Sequence, residues 1–127
     1  MTVRILIVDD QPDIRKLISL TLQHLDDAEL HEADNGGDAW RLAQDLKPDL
    51  MLLDVIMPGE LDGYQVCSKV KKDPLLGPHT KVILLTARAQ KEDLEAGQRA
   101  GADAYLTKAF SPLKLLDKVD EMLEVRS

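Results

Sequence analysis

Four short runs rich in apolar residues each end on a polar residue of a particular kind. Val3–Val8 runs into Asp9 and Asp10, Leu50–Leu53 into Asp54, Val82–Leu85 into Thr86, and Tyr105–Thr107 into Lys108. Short, nearly unbroken runs of Val, Ile and Leu are the mark of strands buried on both faces, as in parallel sheets. A parallel sheet gathers the carboxyl ends of its strands at one edge, where α/β folds bind ligands. Three carboxylates, a hydroxyl and an ammonium would then share one cleft. Carboxylates that close repel one another unless a cation sits among them. The set asks for a divalent metal and an anion, so phosphate chemistry is the natural reading.

Between the strands lie helical patterns. Pro12 suits a first helical turn, and Ile14, Leu17, Ile18, Thr21, Leu22 and Leu25 form a stripe at helical spacing. Glu29–Ala33 reads as a weak second strand. Asn35-Gly36-Gly37 signals a turn, and Ala39, Trp40, Leu42, Ala43 and Leu46 mark a helix that ends before Pro48. Tyr64, Val66, Cys67 and Val70 suggest a third helix that fades before Pro74. A shorter one spans Glu92–Ala100, weakened by Gly97 and stopped by Gly101. Ser111-Pro112 supplies an N-cap and a first-turn proline for a last helix reaching about Val125. Strand and helix thus alternate five times, which implies a parallel sheet with right-handed crossovers. The expectation is one domain over residues 1–127, with no repeat or linker.

Composition narrows the function. Lys and Arg number 16 against 23 Asp and Glu, a net charge of −7. That disfavours direct binding to nucleic acid or to an anionic membrane. Hydrophobic residues make up 44%, enough for a core, but aromatics only 3%, so the core must be aliphatic. Cys67 is the single cysteine, which excludes a disulfide framework and a cysteine-based zinc site. The first apolar run is too short for a signal peptide, and no stretch nears the roughly 20 apolar residues of a membrane span. A cytoplasmic location is expected by default.

Taken together, Asp9-Asp10, Asp54 followed by Met57-Pro58 and Asp62-Gly63, Thr86-Ala87, Lys108 with Phe110, and the stretch Ala100–Leu106 resemble the response-regulator receiver domains of two-component signalling. Each motif alone is weak. All of them in this order and spacing are specific, and the likeness spans essentially the whole chain. The resemblance implies a flavodoxin-like (βα)5 doubly wound parallel five-stranded sheet of strand order 2-1-3-4-5, the order that general fold rules already illustrate with the chemotaxis receiver.

It also implies roles. Asp54 would be the phosphoacceptor, attacking a phosphohistidine on a histidine kinase or histidine phosphotransfer protein as a carboxylate nucleophile. Asp10 would ligate Mg²⁺ directly, Asp9 largely through water, and Ile56 through its backbone carbonyl, alongside Asp54. Mg²⁺ takes few carboxylates and keeps several waters, which fits this inventory. Lys108, the Thr86 hydroxyl and the Ala87 amide would bind phosphoryl oxygens, where charge develops in the transition state. Thr86 and Tyr105 would form a switch: phosphate on Asp54 draws the Thr86 hydroxyl inward, and Tyr105 turns into the space. Such a chain is not a conventional enzyme; it catalyses only its own phosphorylation and dephosphorylation.

Plainer readings stand beside these. A lone aspartate at a strand end is usually a solvated cap, Thr86 serves equally as an N-cap for the next helix, and an isolated lysine is usually at the surface. Tyr105 alone reads as half-buried core, and Trp40 as helix–sheet packing. His24, His31 and His79 read as structural or solvated. Two other function classes remain: a small Mg²⁺-dependent aspartyl phosphatase, and a silent receiver that binds without taking phosphate. The first generally separates two acids on one strand end by one residue, whereas Asp9 and Asp10 are adjacent. The second usually lacks an acid or the lysine, and this chain has all of them.

Two departures from the family pattern bear on the site. Ala109 follows Lys108 where the family has proline after a cis bond. A cis bond before a residue other than proline costs about 2.5–4 kcal/mol, against about 0.5–1 before proline. The expectation is therefore a trans Lys108–Ala109 peptide. The run Met57–Gly63 is also one residue longer than usual, and Glu60 adds negative charge at the rim.

Overall fold

The computed structural model describes residues 2–23, 25, 27–87, 90–108 and 110–124. In chain order it contains β1 (Val3–Val8), α1 (Pro12–Leu22), β2 (Ala28–Ala33), α2 (Gly36–Leu46), β3 (Leu50–Asp54), α3 (Gly63–Lys72), α4 (Leu76–His79), β4 (Lys81–Thr86), α5 (Lys91–Arg99), β5 (Ala104–Thr107) and α6 (Pro112–Glu124). The five strands are parallel and ordered β2-β1-β3-β4-β5. That is the expected sheet, and no described helix is long and apolar enough to cross a membrane.

Period-two alternation splits the strand residues between two cores. Leu6, Val8, Met51, Leu53, Val82 and Leu84 face one side, where α2 and α3 bring Ala39, Ala43, Val66, Cys67 and Val70. Ile5, Ile7, Leu50, Leu52, Ile83 and Leu85 face the other, against Ile18 and Leu22 of α1 and Leu115, Val119 and Met122 of α6. Every residue of β3 is buried, Asp54 included. Trp40 packs on the first core as expected, with the Lys69 ammonium 5.7 Å from its ring centre. Burial pushes the Cys67 thiol up to about 12, so it is an inert core group.

Local signals explain the element ends. Asn35 caps α2, its side chain accepting from the Asp38 amide at 2.8 Å. Asp62 and Gln65 form a reciprocal capping box at the start of α3. Ser111 caps α6, its Oγ accepting from the Lys114 amide at 3.2 Å. Thr86 is not a cap: it is the last residue of β4, and Gln90 occupies the N-cap position of α5. The strand–helix alternation gains one element the sequence reading left as loop, the single-turn α4. Its Leu76 is buried, and Asp73 accepts from the Leu75 and Leu76 amides. His31 bonds Glu29 and His79 bonds the Lys47 carbonyl, both structural. His24, Ala109 with its peptide bond to Lys108, and Val125 lie outside the described residues.

Candidate functional site

The strand register assembles the site. β1 and β3 pair Val8 with Leu53, so Asp9 and Asp54 each come one step later on adjacent strands. Asp54 pairs with Leu85 of β4, which puts Thr86 just beyond it, and Thr86 pairs with Thr107. The Lys108 amide extends that ladder by donating to the Thr86 carbonyl at 2.7 Å. All five expected side-chain positions thus reach the same edge of the sheet, because the chain leaves each strand there.

Asp9, Asp10 and Asp54 each offer a carboxylate oxygen within 4.8 Å of the others. Asp9 and Asp54 are buried, while Asp10 is exposed. The Lys108 ammonium lies 3.1 Å from Asp9 Oδ2 and 3.1 Å from Asp54 Oδ2, and it donates to Gln11 Oε1 at 2.9 Å. Asp9 Oδ1 accepts from the Gln11 amide at 2.9 Å, and Asp54 Oδ1 from the Ile56 amide at 3.4 Å. Asp9 Oδ2 has Lys108 as a charge neighbour yet accepts no hydrogen bond. Burial, then the Asp9 charge, raises the Asp54 carboxyl to about 6 despite the opposing pull of Lys108. Burial pulls the Lys108 ammonium down, but the adjacent Asp54 and Asp9 carboxylates outweigh it and raise its pKa.

This donor set fits a divalent cation. Three carboxylates against one ammonium leave the cluster short of positive charge, and one buried oxygen is without a hydrogen bond. The offered ligands are all oxygen, which suits Mg²⁺ rather than a softer metal. Ile56 lies two residues past Asp54 with an exposed side chain, so nothing but its backbone faces the cluster. Ala87 is exposed immediately after the buried Thr86. Glu60 is exposed in the β3–α3 loop, whose left-handed turn falls on Gly59 at φ 95°.

Tyr105 stands apart from the acids. Its ring is half-buried under α5, and its hydroxyl shares a 3.2 Å hydrogen bond with Tyr64, which also donates to the Asp93 carbonyl at 3.2 Å. Burial and that bond raise the Tyr64 phenol above its ordinary value. Three partners escaped the sequence reading: Gln11, Arg15 and Tyr64. Gln11 meets Lys108 across 97 positions of chain, and Tyr64 meets Tyr105 across 41, so no local pattern marks either contact. Arg15 donates to the Asp9 carbonyl at 2.6 Å, a contact only the helix direction reveals.

Fold and site together define a class, the doubly wound parallel α/β domain with an acidic cluster at the carboxyl edge of its sheet. The chain belongs to the response-regulator receiver family of two-component systems: the sequence pattern of the response regulator receiver domain matches residues 5–120. It is 37% identical over 123 residues to the transcriptional regulatory protein SrrA of Staphylococcus aureus, covering 97% of this chain and 48% of that protein. The chain therefore spans about half the length of the curated relatives it matches. The chemotaxis protein CheY4 of Vibrio cholerae superposes with a TM-score of 0.87 at 30% identity, over 96% of this chain and 99% of that one. The BeF3-activated DrrB receiver domain superposes with a TM-score of 0.83 at 36% identity, over 98% and 99%.

Proposed function

We propose that this domain accepts a phosphoryl group on Asp54 from a phosphohistidine of a sensor histidine kinase or histidine phosphotransfer protein. An Asp54 oxygen attacks phosphorus, the phosphorus–nitrogen bond breaks, and the donor imidazole leaves with the electron pair and takes up a proton. Mg²⁺, when held by Asp9, Asp10, Asp54 and the Ile56 carbonyl, supplies neutralising charge for the phosphoryl oxygens. Lys108 already bridges Asp9 and Asp54, and in this reading it exchanges Asp9 for a phosphoryl oxygen. The Thr86 hydroxyl and Ala87 amide serve the remaining oxygens. Thr86 then moves, and Tyr105 must give up its Tyr64 bond to turn with it. The α5–β5–α6 face changes and shifts affinity for a downstream partner or output domain. The protein is then a switch that catalyses only its own phosphorylation and dephosphorylation. A donor that makes its phosphohistidine from ATP puts the reaction in the cytoplasm.

The observation that carries this reading is the joining of all three acids and Lys108 in one cluster, with Asp9 and Asp54 buried and Asp10 at its exposed side, which a silent receiver does not need. The similar DrrB receiver domain is described as BeF3-activated, and activation by such a phosphoryl mimic supports the same chemistry here. The test is intact mass after incubation with acetyl phosphate and Mg²⁺. The parent should gain one phosphoryl mass, and Asp54→Asn should gain none. An equal gain in the variant would reject Asp54 as acceptor.

A further inference from the structure

We infer that Arg15 is a positioning residue for the metal site, holding the Asp9–Asp10 peptide in the orientation that lets Asp10 face the cation. This rests on the Mg²⁺ reading above. Arg15 touches no carboxylate of the cluster. Its Nη1 donates to the backbone carbonyl of Asp9 at 2.6 Å, while its Nε donates to Glu32 Oε1 at 3.1 Å. The side chain is 19% exposed, and Ser19 Oγ reaches the other Glu32 oxygen at 3.4 Å. A chain of contacts thus runs from α1 through β2 to the peptide that joins the two acids.

That peptide is the point where orientation matters. The Asp9 amide is fixed by the Ala33 carbonyl at 3.1 Å, and its side chain by the Gln11 amide at 2.9 Å. Asp10 has no such ties: it is exposed, and among the described residues its carboxylate has no partner. The backbone sets the direction in which its Cα–Cβ bond leaves the chain, and the carbonyl that orients this backbone is the one the guanidinium grips. A rigid, planar fork suits the task, because one Arg can bond a carbonyl and a carboxylate at fixed angles. Groups that orient metal ligands without touching the metal commonly govern affinity by 10- to 100-fold.

Charge and geometry make opposite forecasts, which gives a sharp test. A cation this close to the site repels Mg²⁺, so if Arg15 acted through charge alone, removing it would tighten binding. If it positions the peptide, removing it loosens binding. The experiment is calorimetric titration of the parent, Arg15→Met, Arg15→Lys and Asp10→Ala with MgCl₂ at fixed ionic strength, with a thermal melt of each. We expect Arg15→Met to weaken Mg²⁺ roughly tenfold or more. Arg15→Lys retains the charge and loses the fork, so it should also weaken binding, by less. Its loss could not come from charge, and it keeps the inference testable if the Met variant fails to fold. Unchanged or tighter binding in either folded Arg15 variant would overturn the inference. A parent that binds no Mg²⁺ would instead reject the metal reading itself, whereas a parent that binds and an Asp10→Ala variant that does not would leave only Arg15 in question.

Discussion

The Asp54 side chain is 4% exposed, lies 3.1 Å from Lys108 and shares a cluster with Asp9, and its carboxyl is raised to about 6 with burial as the first cause. A carboxyl that holds its proton more tightly folded than unfolded destabilises the fold once ionised. The penalty is absent below the unfolded value of 3.8, develops as pH rises towards 6, and is complete above it. In metal-free buffer Asp54→Asn should therefore be more stable than the parent at pH 7.5, on the order of 2 kcal/mol. The gap should close near pH 3.5. Urea unfolding at both pH values checks this, and an equal gap at the two would sink it. The place of this residue was legible in the sequence, since Asp54 ends the most apolar strand. Its neighbours were less so. Lys108 was visible as a strand-end lysine, but its simultaneous contact with Asp9, Asp54 and Gln11 depends on loop direction, which side-chain type does not encode.

Between elements, α5 sits close on β5. A Cβ built on Gly97 would come within 2.8 Å of Tyr105 Cε2, 3.0 Å of Cδ2 and 3.2 Å of Leu84 Cδ1. From the sequence, Gly97 only weakens a short helix, and by propensity alone Gly97→Ala gains about 1 kcal/mol. The structure assigns the glycine to the Tyr105 ring, and overpacking a filled site typically costs about 1–3 kcal/mol. The clash should win. Gly97→Ala should lower the melting temperature and displace the Tyr105 ring from its seat beside Tyr64. Tyr64 and Tyr105 are the only tyrosines, so their ring resonances report this directly. A raised melting temperature with unshifted tyrosine signals would show that α5 yields instead. The one element missed, α4, fails by the same logic. Gly77 and Pro78 read as loop, yet Gly77 lets the turn approach closely, a Cβ there lying 2.5 Å from the Lys71 carbonyl oxygen. Close approach is a property of two segments, and single-segment patterns cannot carry it.

Across the whole molecule, β3 belongs to both cores, and its buried neighbours on either side depend on α1 with α6 and on α2 with α3. Alternation and crossover handedness dictate a parallel sheet, but not which strand lies beside which. The order β2-β1-β3-β4-β5 was legible only through the family likeness, because connections of similar length permit several orders. That order is what makes the site a global property. Asp9 and Asp10 follow β1, Asp54 ends β3, and an ion shared among them binds only when both strands are paired. Unfolded chain holds Asp54 44 or more positions from Asp9 and Asp10, so Mg²⁺ should stabilise the native state by mass action. At free Mg²⁺ ten times its dissociation constant the gain is about 1.4 kcal/mol. For a domain of this size that is a rise of about 4–8 °C in Tm. Asp10→Ala should abolish the rise, since it removes the exposed ligand while leaving the buried Asp9–Lys108–Asp54 contacts in place. Asp9→Ala should reduce it less, because that acid already has Lys108 and the Gln11 amide as partners. Scanning fluorimetry in MgCl₂ against NaCl of equal ionic strength separates specific binding from screening. The same rise in NaCl, or an undiminished rise in Asp10→Ala, would mean that the strand-end acids do not act as one cation site.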